Sequence, residues 1–418
     1  MSDAYVQIVP DGYGKKIDNV LLTIDNSQVY RQRVESYPAN SFGDITADAW
    51  GIPKVSLPHS LFHGLFTFDI PASQWFMYHG ATQVYTSTNI VSTNSAGVVT
   101  ANAARPTVTL QSRDCPRYQP NRGHLFSTAL WAPSKTANGV RDWGVCTIEN
   151  GVFFRLKADG LLYAVQKSGS VEVVEELIST TPVAGFDVEK GNVYDIQYQW
   201  RGVGNYVFYI NLVEVKAFEQ LGTLARLSMQ NPALPACFKA TRTTADVSMH
   251  VGCVDISSEN GSDDALQPRV AYANISRNGT DLPVITIHNP LLINGQTNTR
   301  TINPTHIGVS CDKKTIFKVW RHRDPALLTG ETFVALGAGS FVQTDSPDTV
   351  AGAVAATAAT LTGMELIDVL NVQANGSADW AKRAANLDFT LVRGDYLTVT
   401  ATTLAGLCDV TIDWGEAV

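Results

Sequence analysis

The sequence predicts an all-β protein built mainly from antiparallel β-sandwiches. Short segments rich in Val, Thr, Ile and aromatic residues recur along the chain, with Gly, Asn and Asp between them; the first group suits a half-buried pleated surface and the second forms turns. Asp159-Gly160 lies between two such segments, which is a strong hairpin signal. With 418 residues, 44% of them hydrophobic, the chain is long enough for two or three domains. Many short strands at regular spacing indicate a sandwich or barrel.

We predict that residues 1–40 form an N-terminal arm containing one β-hairpin. The strand candidates are 20–24 and 29–34, and Asp25-Asn26-Ser27 supplies the turn. Because a lone hairpin is only marginally stable in water, we expect the arm to dock on the main body or on a neighbouring subunit.

We predict that residues 41–290 form the largest domain, a β-sandwich. The strand candidates are 83–92, 107–112, 124–131, 145–148, 152–156, 161–166, 171–177, 193–200, 205–215 and 269–275. The hairpin pattern of 193–200, a Gly-rich turn at 201–204 and a strand from Asn205 is similar to those of concanavalin-like lectin sandwiches. This resemblance implies a lectin-like jelly roll for the central domain.

We predict that residues 291–418 form a smaller C-terminal β-sandwich domain. One strand is expected at 315–320, and the chain closes with a predicted three-strand meander, whose strands are 389–392, 396–401 and 408–414.

Two segments favour helix weakly. In 215–228, Val215 and Phe218 begin a near-helical spacing that Gly222 interrupts. The Ala-rich segment 350–360 predicts a short helix or a loosely structured stretch, because its Gly and β-branched residues oppose its Ala content.

Charge and cysteine content exclude several classes of protein. The net charge is -8 with no basic stripe, so we expect no nucleic-acid partner. The two short basic patches, 31–33 and 318–323, fit a solvated strand edge or a salt bridge between subunits. No run approaches the roughly 20 apolar residues of a membrane span, and the N-terminus lacks the pattern of a secretory signal. The six cysteines are scattered without a CxxC pair, which predicts free thiols and no zinc site.

Two sets of side chains could carry chemistry, and each has a plainer interpretation. His59 and His63 have the spacing of a metalloprotease motif, and Pro58 could start a helical turn there, but the glutamate is missing. Packing or an interface is the alternative. Glu172, Glu175 and Glu176 lie on a predicted strand, where strict alternation would place the first and last on one face. The two carboxylates of a glycosidase must lie on the same face to reach one cleft. However, the Glu-x-Asp-x-x-Glu pattern is absent, which favours a solvated strand face.

Three further motifs are also better explained as turns. The oxygen-rich segment 255–264 could attract Ca²⁺ but lacks EF-hand spacing. The Gly-x-Gly pairs at 12–14 and 202–204 lack the third glycine and helix of a phosphate loop. Arg393-Gly394-Asp395 spells an adhesion tripeptide, but it lies between two predicted strands. No catalytic, cofactor-binding or metal-binding residue is therefore assigned, and no cofactor is predicted.

Several stretches resemble structural proteins of tailed-bacteriophage virions. They are the arm segments 14–18 and 29–34, the body segment 118–165 and, more faintly, 393–401. The body segment includes the sequence Arg122-Gly123-His124-Leu125-Phe126-Ser127-Thr128-Ala129-Leu130-Trp131. The resemblance implies a particle component assembled in the host cytoplasm and located in the virion.

On this resemblance we expect a non-enzymatic structural subunit of the tail, neck or adsorption apparatus, such as a sheath, collar or fibre-like protein. It would assemble with copies of itself and with other virion proteins through β-edge and arm contacts, and could contact the host surface. A capsid decoration protein is one alternative. A carbohydrate-binding, lectin-like module is another, in which Trp131, Trp143 and Trp200 would stack on sugars if they are exposed.

Overall fold

A computed structural model describes residues 19–24, 27–32, 59–118, 122–135, 139–200, 205–218, 229–259, 267–337, 340–346, 354–381 and 390–416. The chain forms two compact units, Met1–Thr46 and Ala47–Val418. Among the described residues, regular structure consists of antiparallel strands and one 3₁₀ turn at Pro325–Leu327. The predicted all-β, antiparallel fold class is confirmed.

The described part of the first unit is a β-hairpin. It consists of β1 (Asn19–Ile24) and β2 (Ser27–Gln32), with Ile24 opposite Ser27. The hairpin expected in the arm is therefore present, and its docking on another surface stays a prediction.

The first sheet of the sandwich has eight strands. They are β4 (Trp75–His79), β5 (Thr82–Val84), β8 (Thr107–Ser112), β10 (Gly139–Cys146), β11 (Gly151–Leu156), β12 (Leu162–Ser168), β13 (Val171–Leu177) and β17 (Ala236–Arg242). Their spatial order is β13-β12-β11-β10-β17-β8-β4-β5. The predicted turn joins β11 to β12, where Gly160 adopts a φ of 79° and Leu161 N donates to Asp159 Oδ1 over 2.9 Å.

The second sheet also has eight strands. They are β3 (His59–Leu65), β6 (Ile90–Thr93), β7 (Ala96–Ala101), β9 (His124–Trp131), β14 (Asn192–Tyr198), β15 (Tyr206–Ile210), β16 (Val213–Phe218) and β18 (Val247–Ser258). The order is β16-β15-β14-β9-β18-β7-β6, and β3 also pairs with β18.

The two sheets pack face to face around an aromatic core. Both contribute fully buried side chains to it, including Trp143 and Phe154 from the first sheet and Tyr194 and Phe208 from the second. The Trp143 and Phe154 rings stack with centroids 5.8 Å apart, and Tyr194 meets each of them edge to face. Truncating a buried ring of this size to alanine costs about 3–5 kcal/mol, so these rings dominate the stability of the sandwich.

The third sheet and two small two-stranded sheets, within residues 267–416, form the C-terminal body. The sheet contains β19 (Gln267–His288), β22 (Ile302–Cys311), β23 (Thr315–His322), β25 (Val334–Ala335), β26 (Gln343–Asp345), β28 (Glu365–Val372), β29 (Gly376–Ala381) and β30 (Tyr396–Glu416). Its order is β25-β26-β19-β30-β22-β29, and β23 pairs with β28 and β30. The two-stranded sheets pair β20 (Leu292–Ile293) with β21 (Gln296–Thr297) and β24 (Leu328–Thr329) with β27 (Ala358–Ala359).

Several predicted elements differ from the observed ones. The segment 83–92 is two strands, β5 and β6, and 205–215 spans β15 and part of β16. Val215 and Phe218 belong to β16 rather than to a helix, and 219–228 lies outside the described residues. The helical turn expected after Pro58 is strand β3. The described part of 350–360 contains the short strand β27.

The prediction of a three-strand meander at the C-terminus is wrong. Segments 396–401 and 408–414 are parts of one strand, β30, and the expected strand 389–392 is reduced to a bridge between Leu391 and Ile302. The segment 269–275 belongs to β19, so the third sheet begins at Gln267, ahead of the boundary expected at 290–291. The domain limits themselves stay a prediction.

A buried charge cluster joins the C-terminal body to the sandwich. The fully buried Asp395 carboxylate lies 2.5 Å from Arg321, 3.1 Å from Arg323 and 3.7 Å from Arg113 of the sandwich. Arg393, also buried, donates to Gln111 Oε1 over 2.6 Å. Cations from both parts of the chain therefore converge on one carboxylate.

Candidate functional site

The candidate site lies on the face of the second sheet that points away from the core. Alternation along β9 defines this face, since Phe126 and Leu130 are fully buried in the core. Successive side chains of a strand point to opposite faces, so Ser127, Ala129 and Trp131 point outward. We call this surface the outer face of the second sheet.

A row of polar side chains crosses this face. Ser127 on β9 is directly opposite Asp195 on β14 and Asp255 on β18. The row continues to Tyr209 on β15 and His63 on β3. Neighbouring strands lie about 4.8 Å apart, so the Cα atoms of the two aspartates, with Ser127 between them, are about 10 Å apart.

A second group of polar side chains lies beside this row, and it is buried, as are Asp195 and Tyr209 of the row itself. Gln197 Nε2 donates to both carboxylate oxygens of Glu259, over 2.8 and 2.9 Å, and Tyr209 donates to Gln197 Oε1 over 3.3 Å. A side chain at Gly123 would overlap the Glu259 carboxylate, so glycine is needed there for this group to form. These bonds hold the β14 side of the face in one arrangement.

An aromatic platform occupies the far end of β9. The rings of Trp131 and His250 are stacked, with centroids 5.0 Å apart and an angle of 26° between their planes. Both rings are partly exposed. Burial lowers the pKa of His250 below its ordinary value, so this imidazole is neutral at pH 7.

Open space lies next to Trp131 on the β14 side of the sheet. Asn192 pairs with Leu130, so Gly191 continues the register beside Trp131. A Cβ added at Gly191 would meet no atom within 4 Å. The adjacent loop is held by Asn192 Nδ2, which donates to the carbonyls of Asp187 and Lys190 over 2.8 Å each. Trp131 therefore borders free space next to an ordered polar loop.

Of the three tryptophans named as sugar-stacking candidates, one has a suitable position. Trp143 is fully buried, and Trp200 packs against the core and donates Nε1 to the carbonyl of Met229 over 2.6 Å. Trp131 lies on the outer face. Sequence reasoning missed its neighbours His250 and Gly191, because they join the site only through strand pairing across the sheet.

The predicted glutamates of β13 lie on the first sheet, and their arrangement differs from the prediction. A β-bulge shifts the register between β12 and β13, so Glu172 and Glu175 share a face, whereas Glu176 pairs with Lys216. Arg155 donates hydrogen bonds of 2.8 Å to Glu172 and 3.2 Å to Glu175, and it also binds Asp142. The hydrogen bond from Arg155 lowers the pKa of Glu172, so this carboxyl is ionised and unsuited to act as a general acid.

Of the remaining predicted motifs, two contribute a residue each to the outer face, where His63 of β3 lies directly opposite Asp255 of β18. His59 and His63 are exposed on β3, and residues 255–258 belong to β18. Arg393 and Asp395 flank the predicted turn but are buried in the charge cluster, away from solvent. The segments 12–14, 202–204 and 260–264 lie outside the described residues.

Two absences hold for the described ranges. No group of three or more His, Cys, Asp or Glu side chains within them is arranged to hold a metal ion. Nor do those ranges contain a helix with the length and apolar character that a membrane span requires.

Comparison with known proteins gives matches to solved structures alone. No protein-family model and no curated protein matches the chain. An endo-1,3-β-glucanase from Streptomyces sioyaensis is 10% identical over 49% of this chain and 97% of its own, with a TM-score of 0.38. A pseudo-β-1,3-glucanase and immunostimulatory antigen of Mycobacterium tuberculosis is 14% identical, over 49% and 99%, with a TM-score of 0.36. The carbohydrate-recognition domain of Emp47p is 10% identical, over 50% and 99%, with a TM-score of 0.34.

These matches bear on two of the predictions. The three structures named above are glucanase-like and lectin-like β-sandwiches, and none of the three is a phage protein. The prediction that the chain is not an enzyme is contradicted, because the matching structures include glycoside hydrolases. At identities of 10–14% and TM-scores below 0.5 the matches transfer no residue role or substrate to this chain.

Proposed function

We propose that the sandwich recognises carbohydrate on the outer face of the second sheet. The observation that carries this proposal is the partly exposed Trp131–His250 stack, with open space beside it at Gly191. The apolar face of a sugar ring can stack on an indole, while its hydroxyls need hydrogen-bond partners. Ser127 and Asp255, farther along the same face, supply hydroxyl and carboxylate groups.

The direct test is binding to a glycan array, followed by titration calorimetry with the glycan that binds most strongly. We expect Trp131→Ala to weaken binding about 10-fold or more, since truncating an aromatic residue that anchors a binding surface costs about 2 kcal/mol or more. Gly191→Leu should weaken it similarly, because the leucine side chain would occupy the space beside the tryptophan while leaving that ring in place.

The matched control is Tyr272→Ala, which removes a partly exposed ring from the C-terminal body. It should leave glycan affinity unchanged. Binding by Trp131→Ala at wild-type affinity, or no binding by the wild type across the array, would contradict the proposal.

A second candidate function, glycoside hydrolysis, is favoured by one observation. Asp195 and Asp255 flank Ser127 on the outer face with Cα atoms about 10 Å apart. Because both side chains point to the same face of the sheet, their carboxyl groups are separated by a comparable distance, near the roughly 6.5–9.5 Å of inverting glycosidases. We expect Asp255→Asn to abolish release of reducing ends from a bound glycan but to weaken binding only slightly, because the amide oxygen can still accept a hydrogen bond from a sugar hydroxyl. Asp159→Asn, on the exposed turn of the first sheet, should change neither release nor binding. Absence of release by the wild type would refute this second candidate and leave the binding proposal intact.

The phage-particle role inferred from the sequence gains no support from the comparisons. It stays a prediction, and a glycan-binding face would be compatible with contact to a host surface.

A further inference from the structure

Cys311 and Cys408 lie directly opposite each other on β22 and β30. Their Sγ atoms are 3.6 Å apart, and both side chains are buried, with exposures of 3% and 0%. The thiols are therefore in contact, although the two residues are far apart in sequence.

The backbone places the pair within the range that a disulfide needs. Directly opposite residues in an antiparallel ladder have Cα atoms about 4.5–5.5 Å apart, and disulfides span about 4.4–6.8 Å. Gly406 leaves the room that the sulfurs occupy, since a Cβ there would lie 2.7 Å from Cys311 Sγ. The sulfurs can thus approach by side-chain rotation, without displacement of either strand.

We propose that Cys311 and Cys408 are a disulfide-forming site that covalently joins β22 to β30. In the reaction, one thiolate attacks an external low-molecular-weight disulfide and forms a mixed disulfide. The second thiolate then displaces the external thiol, forming the Sγ–Sγ bond. The two cysteines lose two protons and two electrons, and the external disulfide is reduced to two thiols.

The state of the thiols determines when this reaction occurs. Burial raises the pKa of the Cys408 thiol far above its ordinary value, so little thiolate is present in the folded protein. The bond should therefore form while the C-terminal body folds or opens, in an oxidising solution, and should not form readily in the folded, reduced protein.

A second cysteine pair provides a control within the same molecule. Cys146 and Cys237 interact through a hydrogen bond that raises the pKa of Cys237. However, Cys237 is directly opposite Gly144, so Cys146 occupies a diagonal position. Diagonal Cα atoms are about 7–8 Å apart, too far for a disulfide without movement of the backbone. We expect these two thiols to remain reduced.

The test is to unfold the reduced full-length protein and refold it in buffer containing oxidised and reduced glutathione. Remaining thiols are alkylated, and the non-reduced digest is analysed by mass spectrometry. We expect one linked peptide pair containing Cys311 and Cys408, with the other four cysteines alkylated. Complete alkylation of all six cysteines, or a bridge between Cys146 and Cys237 alone, would overturn the proposal.

Thermal unfolding supplies a second readout. Because the bond closes a long loop, oxidation should raise the Tm of the C-terminal body by on the order of 10 °C. Cys408→Ala should abolish this difference between oxidised and reduced protein, and Cys146→Ala should preserve it. Equal Tm values for oxidised and reduced wild type would also contradict the proposal.

Discussion

At the scale of single residues, the C-terminal body contains a stack of three rings. Tyr396 lies between His288 and His322, with ring centroids 4.0 and 4.9 Å away. His322 is only 2% exposed, and its Nε2 lies 3.0 Å from Thr398 Oγ1. Burial lowers the pKa of each histidine to about 4, so both rings are neutral in the folded protein at pH 7.

This burial predicts loss of stability in acid. Unfolded histidine binds a proton below about pH 6.5, whereas folded His322 does so below about pH 4. Between these values the unfolded state binds more protons, so His322 costs stability as the pH falls through this window, by about 2 kcal/mol at pH 5. Asp114 and Asp345 act in the opposite direction, because burial raises the pKa of each to about 6.

Comparison of variants isolates the contribution of His322. The drop in Tm between pH 7 and pH 5 should be smaller in His322→Gln than in the wild type. His63→Gln, which changes an exposed histidine on β3, should behave as the wild type. Identical pH dependence of the wild type and His322→Gln would show that the histidine is not buried as described.

At the scale of strands, Gly144 permits the close pairing of β10 with β11. It has a φ of 156°, and an added Cβ would lie 2.6 Å from the carbonyl oxygen of Val152 and 2.7 Å from Cα of Phe153. Gly144→Ala should therefore destabilise the sandwich by about 1–3 kcal/mol from backbone strain, with a further cost from the overlap.

Chemical denaturation measures this effect. Gly252→Ala on β18 is the control, because its Cβ would meet nothing closer than 3.5 Å, and it should change stability by about 0.5 kcal/mol or less. Equal stabilities of the two variants would mean that Gly144 is not required for the pairing.

Strands with strong local patterns were predictable, and those defined by distant partners were not. The strand expected at 124–131 coincides with β9 at both ends. The turn between β15 and β16 escaped prediction because Asn211 and Leu212 adopt φ values of 50° and 67° without the usual glycine. The β13 bulge was also invisible, since it arises from the pairing with β12.

The candidate site was predictable to the same limited degree. Trp131 could be named from the sequence, and alternation along β9 places it on the same face as Ser127. Its partner His250 and the two aspartates beside Ser127 come from strands far away in the sequence. No local pattern shows which strands become neighbours, so the site as a whole could not be assembled without the structure.

At the scale of the whole molecule, the charge cluster around Asp395 links the two parts of the second unit. Asp395→Asn should leave Arg113, Arg321 and Arg323 without their shared carboxylate. Removing one partner of a buried ion pair costs about 3–5 kcal/mol. Calorimetry should show a lower Tm, with the C-terminal body unfolding separately from the sandwich.

The same chemical change at Asp159, on an exposed turn, is the control for this experiment. Asparagine can still accept the bond from Leu161 N there, so Asp159→Asn should unfold at the wild-type temperature. A wild-type melting profile for Asp395→Asn would show that the cluster does not hold the two parts together.

The long pairing of β19 with β30 also sets the order of events during protein synthesis. All strands of the sandwich precede β19, so the ribosome completes them before the third sheet can begin to form. β20 to β29 are then synthesised before β30, the strand that pairs with β19 along its whole length. At about 5–20 residues per second, β19 spends seconds without its partner. The nascent chain should thus pass through a state with a finished sandwich and an unsatisfied strand edge, which is the stage most exposed to chaperones and to aggregation.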